Sequence, residues 1–269
     1  MTDDLAAYCA RIGIAGPLAP DRVTLARIAA AHPAAMPFEG IDGLLGTPVV
    51  LDHDALIAKL VHGGRGGFCF EHNLLLRAML EEIGFTVTAL GARVLWNAAP
   101  GAATPLTHML LRVDLAEGPV ILDAGFGGNT LTGVLDLVAD RAQATPHEPF
   151  RLTRDGDYWV QAAAIGGEWR PTYRFTLEPQ HRADHELGSW YMSTSPKSHL
   201  VFGLTCALAP PGRRLALRNF DFAVHHTGGD TERRQLADAA AVCNVVEQEI
   251  GIRLPDRAAL VRRIERGIA

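Results

Sequence analysis

Two rhythms of apolar residues divide the chain. Up to about residue 86, apolar positions recur at helical spacing. LAAYCARIG follows Asp3-Asp4, PDRVTLARIAAAHPAAMPF gives a second helix, HDALIAKLVHG a third, and the run after Cys69 a fourth. In that last run Leu74, Leu75, Ala78, Met79 and Ile83 share a face, and Gly84 supplies the stop. From Phe85 the period shortens to that of strands. FTVTALGARVLW, THMLLRVDL, PVILDAGF, FRLTRDGDYWVQAAA and YRFTLEP are β-rich runs cut by glycine, proline or acidic turns. Short turns between successive strands predict an antiparallel barrel or sandwich. Beyond about Ser189 the pattern is mixed: LVFGLTCALAP and RRLALRNFDFAVHHTG read as strands, TERRQLADAAAVCNVVEQEIG as a helix ended by Gly251. The expectation is an α+β protein: a helical bundle over residues 1–86, a β module over 87–188, and a smaller α/β module over 189–269.

Composition narrows the partners. The chain has 269 residues, 48% hydrophobic and 20% charged, enough for a sizeable core. Its net charge of −5, without a long basic run, argues against a nucleic-acid partner. No apolar run approaches the length of a membrane span, and MTDDLAAYCARIG lacks a signal peptide's basic-then-apolar layout. Cys9, Cys69, Cys206 and Cys243 are scattered without disulfide-framework or zinc spacing, so a reducing cytoplasm is the expected setting.

The chemistry concentrates at one point. Gly63-Gly64-Arg65-Gly66-Gly67-Phe68-Cys69 carries four glycines into a cysteine placed where a helix begins. Unpaired N–H groups and the positive end of the helix dipole favour an anionic sulfur there, and the thiolate is the nucleophile. The glycines are expected to let a substrate carbonyl approach the backbone. A metal reading of Cys69 with His72 and His62 lacks a second ligand cluster at suitable spacing.

A nucleophilic cysteine needs a base and a group to orient it. His108 opens one apolar strand and Asp123 closes the next, where an ionised group is costly unless paired. With Glu117-Gly118 as a two-residue turn, Asp123 falls opposite Arg112, not His108; only a bulge or a different loop joins them.

Resemblance supplies that link. Arg65-Gly66-Gly67-Phe68-Cys69-Phe70-Glu71-His72-Asn73 resembles the R-G-G-x-C-x-E-x-N signature of the arylamine N-acetyltransferases at every fixed position. Thr-His108-Met-Leu-Leu, Leu-Asp123-Ala-Gly-Phe-Gly, Met36-Pro37-Phe38-Glu39 and Ser193-Thr194-Ser195-Pro196-Lys197-Ser198 are similar to further segments of that family in order and spacing. The resemblance implies a helical bundle, a β-barrel and an α/β lid around a cysteine-protease-like Cys-His-Asp core. It implies Cys69 as nucleophile, His108 as base and Asp123 as orienting carboxylate. Acetyl-coenzyme A would be the acyl donor, an aromatic amine or hydrazine the acceptor, and no metal is required.

On the substrate side the resemblance places Phe38 and Phe126 on the acceptor pocket and Gly127 and Gly128 along the coenzyme A path. Thr107 and Trp96 join them as expected coenzyme contacts. Two positions depart from the family pattern. Gly40 stands where asparagine usually follows Pro-Phe-Glu, and Leu200 where phenylalanine is common. The alternative is a macrolactam-forming amide synthase of polyketide biosynthesis, which uses the same scaffold and triad. A cysteine peptidase or amidase fits less well, because the papain-type signature around the cysteine is absent.

Overall fold

The first two helices start where a side chain accepts from the backbone. In the computed structural model, which describes residues 2–99 and 101–268, Thr2 Oγ1 accepts from the Leu5 N–H (3.3 Å) to open α1, Asp3–Arg11. Asp21 Oδ1 accepts from the Thr24 N–H (2.8 Å) to open α2, Arg22–Ala35. A two-residue strand, β1 (Phe38–Glu39), follows, then α3 (Ile41–Leu45) and α4 (His53–Leu56), which runs on as a π-helical turn over Ile57–His62. Helix α5, Cys69–Ile83, ends at Gly84, whose φ of +106° is a left-handed cap.

Eight strands form the middle of the chain: β2 (Thr86–Val94), β3 (Leu106–Leu115), β4 (Gly118–Leu122), β5 (Leu135–Asp136), β6 (Ala142–Gln143), β7 (Phe150–Asp155), β8 (Tyr158–Ile165) and β9 (Glu168–Pro179). They lie in the order β5-β4-β3-β2-β9-β8-β7-β6, every ladder antiparallel, in a nearly closed barrel. Between the edge strands β5 and β6 a side chain does the work of a ladder. Gln143 Oε1 accepts from the Asp136 N–H (2.8 Å), and Gln143 Nε2 donates to the Asp136 carbonyl (3.0 Å).

The remainder comprises α6 (Arg182–Thr194), α7 (His199–Phe202), β10 (Thr205–Leu208), β11 (Arg213–Arg218), β12 (Asp221–His226), β13 (Thr231–Gln235), α8 (Ala239–Asn244) and α9 (Arg257–Glu265). Its sheet runs β1-β10-β11-β12-β13, so its first strand comes from the N-terminal region: Phe38 pairs with Ala207 and Glu39 with Cys206. The fold is the expected α+β arrangement of bundle, barrel and lid.

Three apolar clusters hold these parts. One joins the N-terminal helices to one face of the barrel through Val87, Met109, Leu111, Val113, Val120 and Leu122. The second fills the barrel with the alternate residues, Leu90, Leu110 and Ile121 among them. The third packs the lid sheet against α8 and α9 and takes in Ile41 and Leu44 of α3. By the same alternation His108 and Asp123 fall on the barrel-interior side of their strands.

Several local expectations change. TERRQ is not the start of a helix; it forms the exposed edge strand β13, and the helix opens three residues later with Asp238 as its cap. LVFG in the run LVFGLTCALAP is largely helical, in α7. Helix α6 was not read from the sequence and crosses the expected boundary at 188/189. The hairpin turn lies at Ala116-Glu117, with Leu115 opposite Gly118, so the Glu117-Gly118 turn is displaced by one residue. That shifts the register by two and carries Asp123 toward His108.

Candidate active site

Cys69 is the first residue of α5 and is buried. The start of that helix is tied down by charge. Glu71 Oε2 accepts from the Phe68 N–H (3.1 Å), and Glu71 Oε1 accepts from Lys59 Nζ (2.6 Å). Lys59 also donates to Asp42 (2.6 Å), while Arg65 donates to Glu39 (2.7 Å) and to Asp42 (2.9 Å). Burial works against the Lys59 ammonium, yet Glu71, Glu39 and Asp42 raise its pKa. Burial raises the Glu71 carboxyl, and Lys59 offsets only part of that rise.

Two of the glycines before Cys69 are required by packing. A Cβ on Gly66 would sit 1.8 Å from the Pro37 carbonyl oxygen, and one on Gly67 would sit 2.7 Å from Glu71 Oε2. The Gly67 carbonyl accepts from the Glu39 N–H (2.8 Å), so the bare backbone is what lets β1 lie against the turn. The close approach to Cys69 comes from another glycine: a Cβ on Gly125 would lie 2.6 Å from the Cys69 Cα.

His108 and Asp123 meet. His108 Nε2 lies 2.7 Å from Asp123 Oδ2, with both side chains buried. In the strand register Asp123 would face Leu110, so His108 is its diagonal neighbour on the same face. Asp123 Oδ1 accepts from Asn73 Nδ2 (3.0 Å) and from the Gly125 N–H (2.9 Å). Burial opposes the charged form of His108, but Asp123 by charge and hydrogen bond, then a hydrogen bond to Cys69, raise its pKa to about 10. Burial raises the Asp123 carboxyl, and His108, Asn73 and Gly125 outweigh it, holding the pKa below the usual range. With Nε2 committed to Asp123, Nδ1 is the ring nitrogen left for the sulfur. The Thr107 carbonyl oxygen is 3.7 Å from Cys69 Sγ. Tyr173 and Phe126 flank the imidazole, with ring centroids 4.9 and 5.2 Å away.

Asn73, a fixed position of the signature, reaches the site as well. It lies four residues after Cys69, so one helix face carries both. Its amide also donates to the Met109 carbonyl (2.7 Å) and accepts from the Ala124 N–H (3.2 Å), locking strand ends β3 and β4 to the helix that Cys69 begins. The i, i+4 spacing was the available signal.

His72 turns the other way. Its Nε2 lies 3.0 Å from the Pro37 carbonyl, its Nδ1 lies 2.9 Å from His32 Nε2, and His32 Nδ1 lies 2.8 Å from the Tyr8 hydroxyl. Because a carbonyl only accepts, His72 Nε2 donates to Pro37; burial favours the neutral form of both imidazoles, so each member then donates toward Pro37. Burial pulls the His72 pKa down to about 4. With both nitrogens engaged, His72 is no metal ligand. Among the described residues no group of three or more His, Cys, Asp or Glu is placed to hold a metal ion.

Cys69 and His108 open onto one cleft of about 1780 Å³. Phe38, Phe126, Gly127, Gly128, Thr107 and Trp96 all line it, so every expected substrate-side residue shares a wall with Cys69. Asp123 stands behind His108, out of the cleft. Trp96 carries the Arg170 guanidinium over its ring at 4.1 Å. The lid adds basic residues that sequence reading did not single out, including Arg214, Arg218, Arg233 and Arg234. Their signal was diluted among the charges of a chain with no basic run.

The N-acetyltransferase family matches residues 22–259 of the chain. An arylamine N-acetyltransferase of Mycolicibacterium smegmatis is 48% identical over 96% of this chain and 95% of that protein. One of Escherichia coli K12 is 38% identical over 95% of this chain and 91% of its own length. The solved structure of Mycobacterium marinum arylamine N-acetyltransferase in complex with CoA superposes with a TM-score of 0.94 at 39% identity, covering 98% of this chain and 100% of that one.

Proposed function

The chain belongs to the arylamine N-acetyltransferase family and is an acyltransferase, and from that premise we propose a two-step acetyl transfer through Cys69. In the first step the Cys69 sulfur attacks the thioester carbon of acetyl-coenzyme A. The thioester's C–S bond to coenzyme A breaks, coenzyme A leaves as the thiol with the proton held on His108, and acetyl-cysteine remains. In the second, the nitrogen of an aromatic amine or hydrazine attacks that thioester, the acetyl C–S bond to Cys69 breaks, and the amine proton passes by way of His108 to the sulfur. Exchange between two thioesters is nearly balanced, so the acetyl-enzyme stays reactive toward a weakly basic amine.

The observation that carries this reading is the His108–Asp123 contact beside Cys69. A histidine raised to about 10 stays protonated at neutral pH, and a cation beside sulfur is what a nucleophilic cysteine needs. Asp123 sets the ring orientation and Asn73 sets Asp123. Coenzyme A as the donor's carrier is supported by the M. marinum complex and by a cleft whose Gly127-Gly128 turn leads toward the lid arginines. Phe38 and Phe126 beside Cys69 suit a flat aromatic acceptor. Four free cysteines suit a reducing compartment, and the cytoplasm is the proposed site of action. No helix among the described residues is long and apolar enough to cross a membrane.

Intact-protein mass spectrometry after mixing with acetyl-coenzyme A alone tests the reading. The expected result is one acetyl adduct that maps to Cys69 and disappears on adding an arylamine or arylhydrazine. No adduct, with Cys69 still readily alkylated, would overturn acetyl transfer and favour the amide synthase, which closes a polyketide chain on the same scaffold.

A further inference from the structure

The two departures from the family pattern, distant in sequence, touch each other. Gly40 has φ −118° and ψ 25°, a conformation open to any residue, so its backbone does not demand glycine. What demands it is Leu200: an added Cβ would lie 2.7 Å from Leu200 Cδ2, 3.2 Å from its Cβ and 3.4 Å from its Cγ. Leu200 is 2% exposed and packs in the cluster that holds Phe68 and Cys69, with Phe38 against it.

Leu200 is also a partition. One side faces the main cleft, and the other faces an inner cavity of about 10 Å³ lined by Gly40, Glu39, Lys59 and Phe68. That cavity, about one water molecule in size, is too small to take the Leu200 side chain as a whole. The backbone around Leu200 is closely packed against α3 and tied by its own cap. The Leu200 carbonyl oxygen lies where a Cβ on Gly43 would meet it at 3.1 Å, and the Leu200 N–H is held by Ser198 Oγ (3.3 Å). A side chain at position 40 would therefore drive Leu200 toward the cleft.

Resting on the proposed acetyl transfer, we propose that Gly40 and Leu200 act as one specificity determinant. Glycine at 40 lets Leu200 lie back, and the space this leaves beside Cys69 admits aromatic amines larger than a single ring. The aliphatic wall limits size without offering a ring to stack on.

The test compares aniline with 2-aminofluorene as acceptors, as the ratio of their kcat/KM values and as the ratio of their dissociation constants measured without donor. Gly40→Ala is expected to lower the preference for 2-aminofluorene about tenfold or more, the scale of a misplaced methylene in an apolar pocket. Leu200→Ala alone should raise that preference, and Leu200→Ala added to Gly40→Ala should restore it toward that of the unmodified protein. Equal losses for both amines, or no recovery in the double variant, would overturn the pairing. Should Gly40→Ala fail to fold, an unaltered ratio in Leu200→Ala overturns it independently. Absence of acetyl-enzyme in the unmodified protein would sink the acetyl transfer itself, while the binding ratios would still decide the pairing.

Discussion

Two buried histidines near the Cys69 turn end with opposite affinities for a proton. His108 is raised to about 10, while His72, three residues along α5 from Cys69, is pulled down to about 4. Burial acts against the charge of both. His108 has a carboxylate at 2.7 Å, whereas His72 has only a second histidine and a carbonyl. The neighbour, not the burial, decides whether a buried imidazole is a cation or a neutral strut. In the proposed mechanism the first arrangement serves the chemistry; the second holds β1 against the Cys69 turn.

Removing the carboxylate should break the contrast with the largest effect. Asp123→Asn is expected to lower the rate of Cys69 acetylation by on the order of 10³- to 10⁴-fold, because the ring loses both its orientation and its charge partner. Stopped-flow release of coenzyme A measures this, and near-normal rates would remove Asp123 from its role.

Protonating the neutral pair comes next. His72 has a folded pKa below its unfolded value near 6.5, so its contribution is present above about pH 6.5 and lost as pH falls through about 4. About 2.5 units correspond to about 3 kcal/mol. The thermal midpoint should fall over that range, and a variant with His32→Gln and His72→Gln should show a flatter profile. His108 works in reverse: its raised pKa gives stability that is full below about 6.5 and is lost as pH rises through about 10.

Asn73→Ala leaves a carboxylate oxygen and a carbonyl short of a donor, at about 1–3 kcal/mol. The expected signature is a slower acetylation rate with a shifted pH profile, not a simple loss of folded protein. The smallest effect belongs far from both histidines. Gln143→Ala opens the barrel seam at about 1 kcal/mol and should leave acetylation intact, as read by chemical unfolding beside the coenzyme A release assay.

The architecture was legible where apolar residues kept a clean period. Helices α1, α2, α4 and α5 and the strands from Thr86 to Leu122 follow from that rhythm, while the short α3 does not. It failed where exposure inverts the signal. Helix α6 turns Leu187 and Trp190 outward, and β13 is a run of charges that protects an exposed sheet edge instead of marking a helix. The site was legible through resemblance more than through geometry. A turn displaced by one residue is enough to hide the contact between His108 and Asp123. The meeting of Gly40 with Leu200 could not be read at all, because it depends on how α7 docks on α3.

The strand Phe38–Glu39 has a bearing on how the protein is made. Its partner is Cys206-Ala207, far downstream, and that strand sits in turn beside β11 and β12. A ribosome delivering this chain exposes the Cys69 turn long before the residues that pin its neighbouring strand have been synthesised. Contacts so distant along the chain form late. The early-made part of the molecule therefore carries the Cys69 sulfur without a finished cleft around it, and the cleft walls are complete only when the last third of the chain arrives.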